Sequence, residues 1–300
     1  LHLVDEKHRT TGIVLALSAA LLWGFSGAVA AHAFAEVSPT RVAEARSLVA
    51  VLVLVPYAWY RRRLDPGGRL WLLALIGVNL AANNAAFYWA LDRLGVGPGA
   101  TLQFLGPIGV LAWMRLVQKR PVRRGAWAAA VFAVAGVALV TRAWDTAALD
   151  VTGVAAGLGA AALFASYLLL GERLGRDLPA LTIISWGFVF ASLAWLIVQP
   201  VWSFPTDISG AAWAELVWVG VGGTALPFLA QFAALRRAPS GIIGVVATAE
   251  PVIAAITAWL WLEQVLTFPQ VVGGLMVVGA VAAIQRFGVA EFEVPYESAR

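Results

Sequence analysis

Ten stretches of chain, each about 20 residues and nearly free of Asp, Glu, Lys and Arg, follow one another along this sequence; about 20 apolar residues are what a helix needs to cross a bilayer. They lie at 12–32, 40–60, 70–91, 97–117, 125–141, 151–171, 179–201, 212–235, 240–261 and 267–285. Of the 300 residues, 61% are hydrophobic and 13% charged. Soluble domains average roughly half and a quarter, and a soluble chain has too little interior to hide this much apolar surface. Intrinsic disorder is excluded by the same numbers. The pattern predicts an all-α polytopic membrane protein with ten transmembrane helices. The first stretch is too long for a signal-peptide core and leads into a full polytopic pattern, so it reads as a span.

The basic residues fix an orientation. If the N-terminus is cytoplasmic, the inward segments hold 17 Lys and Arg, grouped at 7–9, 61–69, 115–124, 173–176, 236–237 and 286–300. The outward segments hold only four, Arg41, Arg46, Arg93 and Arg142. Positive charge stays inside, so both termini are expected in the cytoplasm of a bacterium whose inner membrane holds the chain. The inward clusters read as lipid-headgroup anchors rather than nucleic-acid sites. Trp59, Trp71, Trp127, Trp144, Trp202, Trp213, Trp259 and Trp261 fall near span ends, where indoles form interfacial belts.

The chain repeats. A shift of 144 places Ala81–Trp113 on Ala225–Thr257 without gaps, matching Arg93 with Arg237, Gly97 with Gly241 and Pro107 with Pro251. A shift of 141 places Gly12 on Gly153, Leu22 on Leu163 and Trp23 on Phe164; a shift of 140 places Pro39 on Pro179. The halves are 11–141 and 151–285, with 286–300 a cytoplasmic tail. Each half holds five spans. Five is odd, so the second half must enter the membrane upside-down relative to the first. Inverted repeats characterise many secondary transporters, which bind substrate near midplane at the repeat interface.

Polar groups inside a membrane are costly and face a cavity or another helix. Asn79 and Asn83 are four apart and share a face, which Phe87 extends. Their repeat mates are Gly223, Pro227 and Gln231. Two readings stay open: a polar cavity with aromatic lining, or hydrogen bonds between helices. The cavity is preferred for Asn83 and Gln231, with Asn79 and Asn84 evenly balanced. Glu250 falls near the middle of the ninth span, with no basic residue expected at its depth. It is a coupling carboxylate, an ammonium partner, or a neutral acid bonded to helix backbone freed by Pro251. Gly106, Pro107, Pro227 and Pro251 are expected kinks, since proline removes a helix hydrogen bond; Gln103 lies on the side of Pro107. Trp23, Ser26, Phe164, Tyr167 and Trp186 complete the candidate lining, against the plainer reading of packing. Arg46 is expected to snorkel outward or pair with Glu44, rather than steer a carboxylate at the cavity mouth.

Ala20-Leu21-Leu22-Trp23-Gly24, Ser38-Pro39 with Arg46, Ala90-Leu91, Gly106-Pro107, Ala249-Glu250-Pro251-Val252, and Glu263 and Gln270 before Gly273-Gly274 stand in an order resembling the drug/metabolite transporter superfamily. The resemblance is to its ten-helix EamA-type branch, from Gly12 to Gln285, and within it to bacterial amino-acid exporters, those for aromatic amino acids included. It implies a basket of helices around a central cavity, lined by the first four helices of each half.

The sequence has no Cys, and its His residues, at 2, 8 and 32, are scattered. No metal or cofactor is expected. No P-loop, G-x-S-x-G or H-E-x-x-H motif is present, so neither ATP hydrolysis nor another enzyme activity is expected. The expected function is secondary export of amino acids, broad and including aromatic and other neutral ones, by alternating access. Efflux of cationic drugs or other metabolites is the alternative; a channel or membrane enzyme is less favoured. The partners expected are the small-molecule substrate and the lipid bilayer, no nucleic acid, with the chain working as a monomer.

Overall fold

The computed structural model describes residues 2–119, 124–142, 144, 150–237, 243 and 246–288, with side chains from Thr10 to Ala283 save Arg124. The described residues form helices and turns and no strand. Six helical segments are long and apolar enough to cross a membrane: Thr10–Ala33, Pro39–Tyr60, Leu70–Leu94, Val151–Gly175, Ala180–Val198 and Gly210–Leu235. They correspond to six of the ten expected spans. Part of the ninth expected span and residues 289–300 of the expected tail lie outside the described residues.

In chain order the α-helices are α1 (His2–Ala33), α2 (Pro39–Tyr60), α3 (Leu70–Leu94), α4 (Val96–Gln103), α5 (Gly106–Leu116) and α6 (Arg124–Val140). They continue with α7 (Val151–Gly175), α8 (Ala180–Val198), α9 (Gly210–Gly220), α10 (Leu226–Leu235), α11 (Ala249–Leu262) and α12 (Phe268–Gly288). Helices α9 and α10 are one rod joined by a π-helical turn, Val221–Ala225. Only Gly95 separates α3 from α4, at φ +86°, a backbone region that costs glycine nothing.

The expected kinks take a definite form. The fourth span breaks after Gln103, turns through Phe104 and Leu105, and resumes at Gly106 with Pro107 in its first turn. Helix α11 starts after a turn at Thr248, with Pro251 in the same place. A shift of 144 carries the first break onto the second. Proline suits a first turn because the N–H it lacks would have had no partner there. Pro227 likewise opens α10, directly after the π turn.

Helix α3 packs on α7 and α8, α1 on α9, α10 and α11, α2 on α8 and α9, α4 and α5 on α7, and α6 on α12. The main core gathers Val42, Leu54, Leu80, Tyr88, Leu91, Phe188, Trp195 and Leu216 between α2, α3, α8 and α9. Glycines set the closest approaches. A Cβ on Gly77 would stand 2.5 Å from Phe190 Cβ and 2.6 Å from the Gly187 carbonyl oxygen, and one on Gly220 would overlap Val49. Gly136 of α6 and Gly273 of α12 each press against the other's carbonyl. The outer surface carries exposed Leu52, Val131, Ile197 and Leu260, and all eight tryptophans expected near span ends are exposed.

Loops are tied at both ends of the bundle. Ser209, the N-cap of α9, donates through its N–H and Oγ to Glu36, both at 2.7 Å. These bonds hold the Glu36 carboxyl below the usual carboxylate range. Arg41 bonds Glu44 at 2.7 Å and reaches Ser203 Oγ at 2.6 Å. At the opposite end Arg69 pairs with Asp177 at 2.7 Å, and Thr182 and Trp186 donate to the carbonyls of Arg63 and Leu64, both at 2.8 Å. Asp150 caps α7 by accepting from Gly153 N–H at 2.8 Å and pairs with Arg93 at 2.9 Å. The Thr152 hydroxyl and the Gly153 N–H, with Arg93 after them, lower its pKa.

Candidate functional site

A polar cluster inside the bundle is organised around Arg46. It neither snorkels nor pairs with Glu44, whose partner is Arg41. Its guanidinium turns into the bundle, with Nε donating to Thr224 Oγ1 at 2.7 Å and Nη2 to the Gly223 carbonyl at 3.2 Å. Nη1 reaches Tyr88 OH at 3.2 Å and Asn84 Oδ1 at 3.4 Å, and the cation lies 5.7 Å from the Tyr88 ring centroid. The local sequence builds this seat. Gly223 lacks a Cβ because one there would overlap Ser26 of α1. Pro227, four residues on, lacks the N–H that an α-helix would direct at the Gly223 carbonyl. The Thr224 hydroxyl donates back to Val219 O at 2.8 Å across the π turn, so its lone pairs face Arg46. All four of these acceptors are neutral. Among the described residues, Arg46 joins no ion pair.

Asn79, Asn83 and Asn84 are all buried on α3. Asn84 Oδ1 serves Arg46, but Asn79 Oδ1 and Asn83 Oδ1 have no hydrogen-bond partner, nor does Gln231 Oε1 on α10. A buried polar atom without a partner is uncommon and calls for a ligand, a water or a function. The reading of these amides as helix-to-helix glue fits Asn84 and leaves the other three oxygens unused. Glu250, in the first turn of α11, lies against α1, where a Cβ on Gly24 would stand 2.9 Å from the Glu250 carbonyl oxygen. The charge of Arg46 acts on its carboxylate.

The aromatic candidates divide. Trp23 meets Phe228 edge to face at 5.3 Å, and Phe228 continues to Phe188 at 5.7 Å and Phe232 at 6.4 Å. Phe164 stacks on Tyr167 at 6.2 Å and fills the space over Gly106, where a Cβ would sit 2.5 Å from its ring. Phe87 lies beside Tyr88, and Gln103 ends α4 at the break. Trp186 stands apart: its indole stacks on Phe190 and donates to Leu64 O in the loop tie. The structure thus joins Ser26, Gly223, Thr224, Arg46, Asn84 and Tyr88 directly. Arg46, Thr224 and Phe228 are the residues the spacing did not single out. The available signal for Arg46 was an arginine two turns into the second span, just before the long apolar run that starts after Ser47.

The chain matches the EamA-like transporter family twice, over residues 10–142 and 151–286. It belongs to that family. It is 29% identical over 277 residues to the threonine/homoserine exporter RhtA of Escherichia coli K12, covering 90% of this chain and 88% of that protein. It is 30% identical over 262 residues to the protein of that name from Salmonella typhimurium LT2, covering 85% of each. A protein crystal structure with 18% identity shares the fold, with a TM-score of 0.65 over 94% of this chain and 99% of that one. The protein is therefore a multi-pass membrane protein of a transporter family.

Proposed function

We propose that the protein exports amino acids from the cytoplasm as a secondary transporter, by alternating access between two inverted repeats, 11–141 and 151–285. The observation that carries the reading is the double family match together with the similarity, along most of the chain, to threonine/homoserine exporters. The helix pairings support the inversion. Exchanging the halves turns the α3–α8 contact at Gly77 into the α2–α9 contact at Gly220, and the α1–α11 contact into that of α4 and α5 with α7. The α6–α12 pair maps onto itself, with Gly136 and Gly273 trading places. Matching breaks at 104–105 and 248 give both halves an articulated helix, the feature that marks transporter sites. The inward-only basic clusters support cytoplasmic termini in a bacterial inner membrane.

The lining supports neutral amino acids, small hydroxylated ones as named for the relatives and aromatic ones over Trp23, Phe164 and Tyr167. A bare cationic drug is disfavoured by the Arg46 charge. The test is counterflow in proteoliposomes loaded with threonine, homoserine or phenylalanine. Saturable uptake of labelled amino acid is expected. Linear, unsaturable flux would make the protein a channel, and movement of cationic dyes without amino acids would make it a drug carrier.

A further inference from the structure

Arg46 is a cation held in place but not neutralised. Four neutral oxygens, from Thr224, Gly223, Tyr88 and Asn84, fix its plane. Such a cation inside a membrane bundle is expensive unless an anion completes it. Four of its five N–H donors are engaged, and the remaining Nη2–H with the full positive charge is left for one carboxylate oxygen; its side-chain entropy has already been spent on the protein contacts. Among the unpartnered buried side-chain atoms of α3 and α10, Asn79 Oδ1, Asn83 Oδ1 and Gln231 Oε1 are acceptors and Asn84 Nδ2 is a donor. The three acceptors call for a group rich in N–H or O–H, and the Asn84 amide N–H, on the residue that bonds Arg46, calls for an acceptor such as a carboxylate oxygen. Glu250, which accepts no hydrogen bond from the described residues, adds a carboxylate on α11, the helix that packs on α1 at Gly24, two residues from the Ser26 that packs on Gly223. A guanidinium that joins no ion pair among the described residues, in one bundle with a carboxylate that accepts no hydrogen bond from them and with unpartnered amide oxygens, is the complement of a zwitterion.

We propose that Arg46 is the residue that binds the substrate's α-carboxylate, and that Glu250 with the amide oxygens of Asn79, Asn83 and Gln231 receives its ammonium and any side-chain hydroxyl. This rests on the exporter reading and narrows it to a recognition rule. The ligand must carry both charges, so an amino-acid ester, larger by one methyl group, and a decarboxylated amine, which is smaller, are both refused. Arg46 then sets specificity, and the aromatic side chains act on the rest of the ligand.

The experiment is competition for threonine counterflow in wild-type proteoliposomes by threonine methyl ester and by 1-amino-2-propanol, repeated in Arg46→Gln and Arg46→Lys. In wild type both analogues are expected to compete at least tenfold more weakly than threonine, the factor expected from losing a charge-assisted hydrogen bond. Arg46→Gln is expected to raise the threonine half-saturation about tenfold or more while the analogues are unchanged, so that the preference collapses. Arg46→Lys, which keeps the charge but not the protein contacts that hold it in place, is expected to fall between. If wild type exchanges no amino acid, the exporter reading itself fails. If wild type exchanges threonine but the analogues compete equally, the carboxylate assignment fails whatever the variants do. Equal loss for all ligands in both variants also overturns it, making Arg46 a packing residue.

Discussion

Arg46 Nη2 donates at 3.2 Å to the carbonyl of Gly223, the carbonyl whose α-helical donor would have been the N–H that Pro227 lacks. The proline thus does more than bend a helix. It leaves an acceptor open deep in the bundle, and a residue 177 positions earlier takes it. Replacing Pro227 by Ala restores a backbone donor that competes for that carbonyl. Pro227→Ala is therefore expected to raise the half-saturation for threonine while leaving the melting temperature in detergent close to that of wild type, since proline is tolerated in the first turn of α10. A variant with wild-type transport would show that the Gly223 carbonyl does not position Arg46.

Much of this was readable in the sequence, because it depends on local pattern. Span length, the proline breaks at Pro107 and Pro251, and the shared face of Asn79 and Asn83 all follow from periodicity and residue chemistry. Arg46 did not, and the reason is physical. It sits seven residues past Pro39, at about 1.5 Å per residue, so a long side chain can reach either the interface or the interior. The choice is made by Thr224 and Gly223 on α9 and α10, and no local pattern reports that contact. Trp186 shows the converse. It is the mate of Arg46 under the shift of 140 that pairs Pro39 with Pro179, yet it spends its indole N–H on Leu64 O. Repeat equivalence carries position but not chemistry.

The glycine contacts give a stability prediction. A methyl group at Gly77 meets Phe190 and the Gly187 carbonyl, and one at Gly220 meets Val49. Backbone and a β-branched side chain yield little, so overpacking is expected to cost about 1–3 kcal/mol at either position. Gly77→Ala and Gly220→Ala should each lower the melting temperature in detergent, by similar amounts if the two contacts are equivalent under the repeat. Neutral behaviour at both would mean that these helix pairs are not in register as described.

Glu36 gives a pH prediction. Its carboxylate is favoured by the Ser209 N–H and hydroxyl, so its folded pKa lies below the ordinary value. A lowered folded pKa means stabilisation that is whole above the ordinary value and is lost as pH falls through the folded one. The melting-temperature difference between wild type and Glu36→Gln is therefore expected to be largest near neutrality and to vanish in acid. The group is exposed, so salt should shrink it. A difference that grows on acidification would contradict the assigned pair.

Topology can be read directly, since the sequence has no Cys. Single cysteines at Arg61 and Arg237 are expected to resist a membrane-impermeant maleimide in intact cells, and one at Trp202 to react. Reaction at Arg237 from outside would reverse the orientation argued from the basic residues.

The last prediction concerns Glu250. Glutamine keeps its shape and can still accept a hydrogen bond, but it has no charge and cannot titrate. If Glu250 only steadies the first turn of α11 beside Pro251, Glu250→Gln is expected to transport normally in every assay. If it carries a coupling proton, export driven by an imposed pH difference should fail while exchange at equal pH persists, as membrane carboxylates behave in proton-coupled carriers. If it receives the substrate ammonium, driven export and exchange should fall together, about tenfold or more in half-saturation. The last outcome is the one expected. No described residue supplies the Glu250 carboxylate with a hydrogen bond, and the unpartnered oxygens of Asn79, Asn83 and Gln231 are further acceptors for an ammonium. A further arm separates ammonium binding from any general loss. A 2-hydroxy acid has the carboxylate but no ammonium, so it should compete poorly in wild type and lose nothing further in Glu250→Gln. Selective loss of pH-driven export, with exchange intact, would assign Glu250 to coupling and remove it from the substrate's seat.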